Sequence, residues 1–459
     1  MQKDVKKNQI MIGLEIHGYL STKEKLFCNC KAIHGAKNAE PNTYICPICT
    51  SQPGAKPMLP NSEAVKKIIQ IALILNCKIN DKLIWQRKHY DWPDLPKGYQ
   101  NTLSGTYATP VGIRGTFQSI RIREAHLEED PAAWNPLTGE VDYNRSGSPL
   151  VEIVTDPDFK DSEQVVEWLK QLLHTLSYIN AIDKDSGIKA DVNVSINNGE
   201  RIEIKNINSL TSIKNAIDIE IIRQEKEPPL TQETRRYDEA KNITVKMRSK
   251  EQAEDYRFIS DPDLPILKIE NKRVKEIKSN LPETPQEKLK KLIKKHKIDK
   301  NPAEILTKRI DIAEFFEKVI EQIPKEIAVP WTTIELLRVL NYNKKEFDEV
   351  EIQPSHFIEL LKLIKQEKIT ELKAKEILNQ FIPKSFSPLK EAEKSKKISA
   401  IDEIEKICKD ILSANKQAVS DFKSGKKESL NFLIGQVMKE TQKRADYQVV
   451  RKILEKMMK

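Results

Sequence analysis

The stretch MIGLEIHGYL, Met11 to Leu20, alternates apolar and polar side chains with a period of two. On a strand, Ile12, Leu14 and Ile16 then face one way, and Glu15 and His17 the other. The same period recurs along the first half of the chain. ADVNVSI sets Val192, Val194 and Ile196 against Asp191, Asn193 and Ser195. RIEIKNI sets Ile202 and Ile204 against Arg201, Glu203 and Lys205. NITVKMRS sets Ile243, Val245 and Met247 against Thr244, Lys246 and Arg248, and in PLVEIVTDPD Glu152 lies between Val151 and Ile153. Such segments predict antiparallel strands sharing one apolar face, turned to a core, and one polar face.

A polar sheet face is usually just solvated. Here its acids come with His17 and Asn193, and with lysines and arginines at separate positions. Oxygen ligands with an occasional imidazole suit Mg²⁺ or Mn²⁺, and interleaved cations suit the phosphates those metals accompany. REAHLEED, Arg123 to Asp130, adds four carboxylates and a histidine within eight residues. Crowded acids repel unless a cation, a proton or a ligand offsets them. Alternation carried on from SIRIR puts Glu124, His126 and Glu128 on one face and Glu129 on the other. The chain has no G-x-x-x-x-G-K-[ST] loop and no G-x-G-x-x-G opening a helix. Phosphoryl transfer needs neither, only cations across the phosphates and an in-line nucleophile. These residues predict a metal-dependent enzyme acting on a phosphorylated substrate.

Glycine usage divides the chain. Twelve of its fourteen glycines lie at or before Gly199, and none falls between Gly199 and Gly425. A turn-rich first part and an almost wholly helical second part follow, so the fold class is α+β. The expected domains are 1–280, a sheet domain with an insert at 28–49, a helical linker at 281–308, and a helical tail at 309–459. Within the linker, Pro282 to Lys300 reads as an amphipathic helix. Beyond it, apolar spacing as in IELLKLIKQ marks a bundle. The formal net charge of +9 is compatible with a polyanionic partner. Without a long apolar run or an apolar leader, no membrane span is expected, and the cytoplasm is the expected location.

Cys28 and Cys30 of FCNC and Cys46 and Cys49 of CPIC are separated by a loop that contains Gly35, Asn38, Pro41 and Asn42. Two thiolate pairs so spaced suit tetrahedral, structural Zn²⁺; the competing readings are disulfides or free thiols. Cys77 and Cys408 lie in apolar, helical contexts and are expected in the core.

These residues also form an ordered series. GLEIH (Gly13–His17), FCNC with CPIC, PDLPKGYQ (Pro93–Gln100) and HLEED (His126–Asp130) come first. VDYNRSGSPLVEIVTDPD (Val141–Asp158), DVNVSI, EIKNINS, QETRRYDE, MRSKEQAEDYRF and DPDLP follow. The series resembles the GatB family over essentially the whole chain, and the tail Asp421–Asp446 looks like the YqeY-type domain that ends its members. The resemblance implies a glutamine-synthetase-like cradle domain. It also implies a heterotrimer with GatA and GatC that acts on Asp-tRNA(Asn), Glu-tRNA(Gln) or both. ATP phosphorylates the side-chain carboxylate of the charged amino acid, and ammonia released from glutamine by GatA displaces the phosphate.

Carried over motif by motif, the resemblance implies Mg²⁺ held by His17, Glu129 and Glu152, with Glu15 beside them. Glu128 or Asp130 would contact water or ammonia. Asp191, Asn193, Glu203 and Lys205 are expected on the nucleotide or a second metal, and more weakly Arg235, Arg236 and Arg257. With the strand parity in question, the resemblance implies a bulge near Ala125 or an earlier strand end. Pro131-Ala132-Ala133-Trp134 and RKHYDWPD (Arg87–Asp94) depart from the family pattern and resemble an archaeal-type branch. KMRSK invites comparison with the lysine loop of class I aminoacyl-tRNA synthetases, but an H-I-G-H motif is missing. A non-catalytic tRNA-binding scaffold, using Lys426, Lys427, Lys439 and Lys443, is the remaining alternative.

Overall fold

The period-two segments pair with one another. The structure is a computed structural model describing residues 9–33, 39–183, 188–197, 199–249, 257–394 and 401–458. Gly35 and Asn38 of the cysteine loop, residues 250–256 of the MRSKEQAEDYRF motif and the side chain of Arg248 lie outside the described residues. The chain forms two compact units, Met1–Thr284 and Pro285–Lys459.

The first unit is built on a 12-stranded sheet. In chain order its strands are β1 (Ile10–Tyr19), β2 (Lys78–Ile79), β3 (Gln86–His89), β4 (Tyr99–Thr102), β5 (Gly112–Phe117) and β6 (Ile120–Glu129). They continue as β7 (Pro149–Thr155), β8 (Ile188–Ile196), β9 (Ile202–Ile207), β10 (Glu233–Asp238), β11 (Ile243–Ser249) and β12 (Arg257–Ser260). Across the sheet the order is β11-β10-β9-β8-β1-β7-β6-β4-β3-β12, with β5 pairing β6 and β2. All pairings are antiparallel except β9 with β10. Four of the strands read from alternation, β1, β7, β8 and β9, therefore lie side by side at the centre; β11 lies at the edge, where Ile243 and Met247 are exposed and Thr244 is buried, the reverse of the expected faces.

One face of this sheet is the core. Ile12, Leu14, Ile16, Val151, Ile153, Val192, Val194, Ile202 and Ile204 are buried in a single apolar cluster. The helices α1 (Ser62–Ile74), α2 (Ser162–Tyr178) and α3 (Leu210–Lys226) supply the rest of that cluster. Each helix starts at a side-chain cap: Asn61 accepts from Glu63 N and Ala64 N, Asp161 from Gln164 N, and Ser209 from Ser212 N. Such caps satisfy amide donors that the first turn leaves open. Cys77 is buried, but in the connection from α1 to β2 and not in a helix. It sits where a Cβ on Gly115 would come within 2.4 Å of its sulfur, so that strand position takes only glycine.

The β5–β6 hairpin turns on Gln118 and Ser119, both at positive φ, 46° and 68°. That is the twist a tight two-residue hairpin needs. Further along β6 the register with β7 shifts: Val154 pairs with Glu124, and Thr155 with Ile122. Arg123 is the extra residue, and this bulge exchanges the faces of the strand. Ile120 and Ile122 point into the core before it; Ala125 and Leu127 do so after it.

In the second unit the stretch read as a linker is not free-standing. It holds helices Pro285–Lys294 and Lys300–Leu306, and Leu292, Ile298, Ala303 and Leu306 belong to that unit's main core. Helices Ile401–Ala414, Lys416–Lys423, Glu428–Glu440 and Tyr447–Met458 close around a separate core that includes Cys408, Leu433 and Leu454. Thr370 donates to the Lys443 carbonyl and Lys443 pairs with Glu376, joining the two cores. Lys443 thus has an ion-pair partner, with its side chain 45% exposed. No described helix is long and apolar enough to cross a membrane.

Candidate active site

The polar face gathers its acids into two groups, one on each side of β1. In the first, His17, Glu128 and Glu152 bring one ligand atom each within 4.8 Å of one another. His17 and Glu152 are cross-strand partners, as are Glu152 and His126. Glu152 Oε2 lies 3.3 Å from His17 Nε2 and 3.3 Å from His126 Nε2. His126 is fully buried; its Nδ1 is 3.3 Å from Glu124, and its Nε2 is 3.5 Å from Glu128. Burial favours neutral forms here, but the imidazoles and carboxylates overrule it. Glu152 is held well below the usual carboxylate range by His126 and His17. Glu152 in turn raises His17, against burial, to about 9 and carries His126 well above its ordinary value.

Glu129 does not join this group. The bulge lies at Arg123, and from Glu124 to Glu129 the pairing with β7 is regular, so β6 reaches Glu129 without a second parity change. Glu128 therefore shares a face with His126, and Glu129 turns to the opposite one. There it pairs with Lys97 and accepts from the Asn101 amide at 2.9 Å. Lys97 lies 5.0 Å from the Tyr99 ring and 5.6 Å from that of Phe27. The expectation of Glu129 as the partner of His17 and Glu152 is corrected to Glu128 on this geometry. Gln100 braces the corner, donating to Glu128 Oε2 at 3.2 Å and to the Glu129 carbonyl at 3.0 Å. Asp130 is held by Arg145 at 2.9 Å and by the Tyr19 hydroxyl at 2.6 Å.

The second group is Glu15, Asp191 and Glu203, again within 4.8 Å of one another. Glu15 and Asp191 are cross-strand partners, as are Asn193 and Glu203. Asn193 Nδ2 donates to Glu15 at 3.1 Å, and its buried Oδ1 has no hydrogen-bond partner among the described residues. Lys205 Nζ stands 3.8 Å from Glu203 and 4.0 Å from Asp191, and Thr234 donates to Glu203 at 3.1 Å. Burial raises Glu15, and the charges of Glu152, Glu203 and Asp191 add to it. Three convergent carboxylates and an open amide oxygen, with Lys205 at their side, fit a hard divalent cation. All four residues expected on the nucleotide side meet here.

The arginines behave differently. Arg235 is spent on structure, bonding Glu233 at 2.8 Å and the Thr244 carbonyl at 2.8 Å. Arg236 is more than half exposed, 3.7 Å from Asp238. Arg257 is exposed at the sheet edge. Lys246 of KMRSK sits in β11, paired with Glu233 at 2.7 Å, and is part of a ladder rather than of a loop.

Cys28, Cys30, Cys46 and Cys49 also come within 4.8 Å of one another. None forms a disulfide. Cys49 accepts from the Cys46 amide at 3.2 Å, and its thiol is drawn down to about 5, first by the Cys28 thiol. Four convergent sulfurs of which one favours the thiolate suit Zn²⁺.

Sequence reasoning missed Lys97, Gln100, Tyr19 and Arg145. PDLPKGYQ was visible as a motif, but nothing local in it shows that its lysine reaches an acid 32 residues on.

A helix-backed antiparallel sheet whose open face holds acids and imidazoles in two cation-sized groups, with a helical second unit, defines an α+β class of carboxylate-lined proteins. The particular family follows from comparison. Residues 10–275 match the family model of the GatB/GatE catalytic domain, and residues 314–458 that of the GatB domain. The chain belongs to the GatB family. It is 44% identical over 453 residues to the B subunit of the aspartyl/glutamyl-tRNA(Asn/Gln) amidotransferase from Methanocaldococcus jannaschii, covering 95% of this chain and 94% of that one. It is 40% identical over 457 residues to the protein of the same name from Methanopyrus kandleri, covering 97% and 98%. A Methanothermobacter thermautotrophicus protein of that name is 42% identical over 441 residues, covering 95% and 97%. These relatives are archaeal, in line with the branch to which the departures pointed.

Proposed function

We propose that this chain is the carboxylate-activating subunit of a tRNA-dependent amidotransferase, working in the cytoplasm as a heterotrimer with GatA and GatC. Residues 1–280 form the catalytic cradle, and 309–459 the tRNA-binding tail. The side-chain carboxylate of Asp-tRNA(Asn) or Glu-tRNA(Gln) takes the γ-phosphoryl group of ATP, and ADP leaves. Ammonia supplied by the amidase partner then attacks the acyl carbon; phosphate departs, a proton is lost, and the amide remains.

The observation that carries this reading is the pair of ligand groups sharing β1. His17, Glu128 and Glu152 would hold one Mg²⁺ or Mn²⁺, and Glu15, Asp191, Asn193 and Glu203 a second cation beside the nucleotide. When bound, such cations draw charge off the phosphoryl oxygens. His126 keeps Glu152 and Glu128 turned towards His17. Lys205 meets the phosphates from the far side of the second group. Glu129 and Lys97 brace the end of β6. Cys28, Cys30, Cys46 and Cys49 would hold a structural Zn²⁺.

The test is release of labelled phosphate from γ-labelled ATP by the protein with its amidase partners, given Mg²⁺ and each misacylated tRNA. Release that depends on one charged tRNA, yields amide on adding ammonium, and is lost in Glu128→Gln supports the assignment and names the substrate. Release that ignores charged tRNA, or survives Glu128→Gln unchanged, would leave a tRNA-binding scaffold as the better account.

A further inference from the structure

Lys25 is 1% exposed, one of the largest fully buried side chains in the protein. Its ammonium donates to Cys49 Sγ at 3.5 Å and to the Tyr143 carbonyl at 3.2 Å. Among the described residues no carboxylate forms an ion pair with it. Its backbone belongs to the same knuckle, since the Lys25 amide donates to the Cys30 carbonyl at 2.9 Å. Sequence reasoning took the four sulfurs and passed over the lysine three residues ahead of the first.

An ammonium removed from water is costly unless an anion faces it. Neutral thiols or a pair of disulfides would leave Lys25 facing uncharged sulfur and one carbonyl. Four thiolates around a divalent ion carry two net negative charges, which are themselves costly to bury without a cation nearby. The two problems cancel at one contact.

We propose that Lys25 is the charge partner of a tetrathiolate metal centre at Cys28, Cys30, Cys46 and Cys49, fixing Cys49 as a ligand and setting how tightly the metal is kept. The inference rests on the zinc reading given above and extends it to a residue outside the ligand set. It also gives the centre a mechanical address. The Ser146 hydroxyl donates to the Cys49 carbonyl at 2.9 Å, and Leu26 N donates to the Gly147 carbonyl at 2.8 Å. Gly147 N in turn donates to the Asp130 carbonyl at 2.8 Å. The turn that Lys25 helps to seat is thus bonded to the residue next to Glu129.

The experiment uses the full chain expressed with zinc. Metal content is measured directly, and affinity by competition with a chromogenic chelator, in the wild type and Lys25→Met. Outer-shell partners typically contribute about 10- to 100-fold to metal affinity, and a loss of that size is expected. A second arm repeats Lys25→Met in a background with all four cysteines changed to serine and compares melting temperatures. There the substitution should be neutral or stabilising, whereas with the cysteines present it should lower the midpoint. Equal chelator competition, or the same destabilisation in both backgrounds, overturns the role of Lys25. Wild-type protein that purifies without metal overturns the zinc reading itself. Where Lys25→Met fails to fold with the cysteines present, the serine background still decides.

Discussion

Glu15 and His17 sit two residues apart on one strand and serve groups with opposite charge balance. His17 faces Glu128 and Glu152 with a second imidazole, His126, buried behind them. Glu15 faces Asp191 and Glu203, with Lys205 3.8 Å from Glu203 and 4.0 Å from Asp191. The first group holds Glu152 ionised with protons of its own. In the second, burial raises Glu15, and the neighbouring acids add to it. In the first group a cation has to displace the proton of His17, whereas in the second it meets acids directly.

The largest effect should come from breaking the first group at its centre. Glu152→Gln leaves two imidazoles without their shared negative charge, and charged-tRNA-dependent phosphate release should fall by about 10²- to 10³-fold, the range seen when one electrostatic contact to a transition state is removed. Within the same group, Glu128→Gln should lose a comparable factor, while Glu129→Gln should lose less than about tenfold and instead lower the melting temperature through Lys97. Equal losses in turnover for the two would erase the distinction between the faces of β6. In the second group, Lys205→Met should raise the KM for ATP by about tenfold with a smaller change in kcat, as expected for a contact made alike in ground and transition states.

The smallest effect is on pH, and it separates two quantities. A cation can bind His17 only when the imidazole is neutral, so Mn²⁺ affinity, read by calorimetry, should climb as pH rises from 6 towards about 9. Stability of the metal-free protein should move the other way. His17 is raised in the folded state, so its contribution is full below the unfolded value of about 6.5 and is lost as pH passes through the folded one. Parallel slopes would mean that His17 is not what the cation displaces.

How much of this was legible beforehand depends on distance along the chain. The alternation at Met11–Leu20 assigned Glu15 and His17 to one face without help, because period two is a local property. Asp191, Asn193 and Glu203 followed by the same rule. The choice between Glu128 and Glu129 was not legible, since one bulged residue, Arg123, decides it and is visible only in the pairing with β7. Lys97 and Gln100 were out of reach for the same reason: their partners lie on another strand. Residues 285–306 look like a connector because their apolar positions are few, yet those few reach a core formed far downstream.

A strand, like a coded message, is read in a frame, and Arg123 is a frameshift. Everything after it in β6 is read on the face that its neighbour before it was not. Had β6 run on without a bulge and with Arg123 kept in step, Glu129 would face the metal side and Glu124, His126 and Glu128 would turn inward; deleting Arg123 removes the bulge and leaves all four on their present faces. The chemistry of the whole face hangs on the surplus residue being absorbed at that point, and no composition or profile of acids records where that happens.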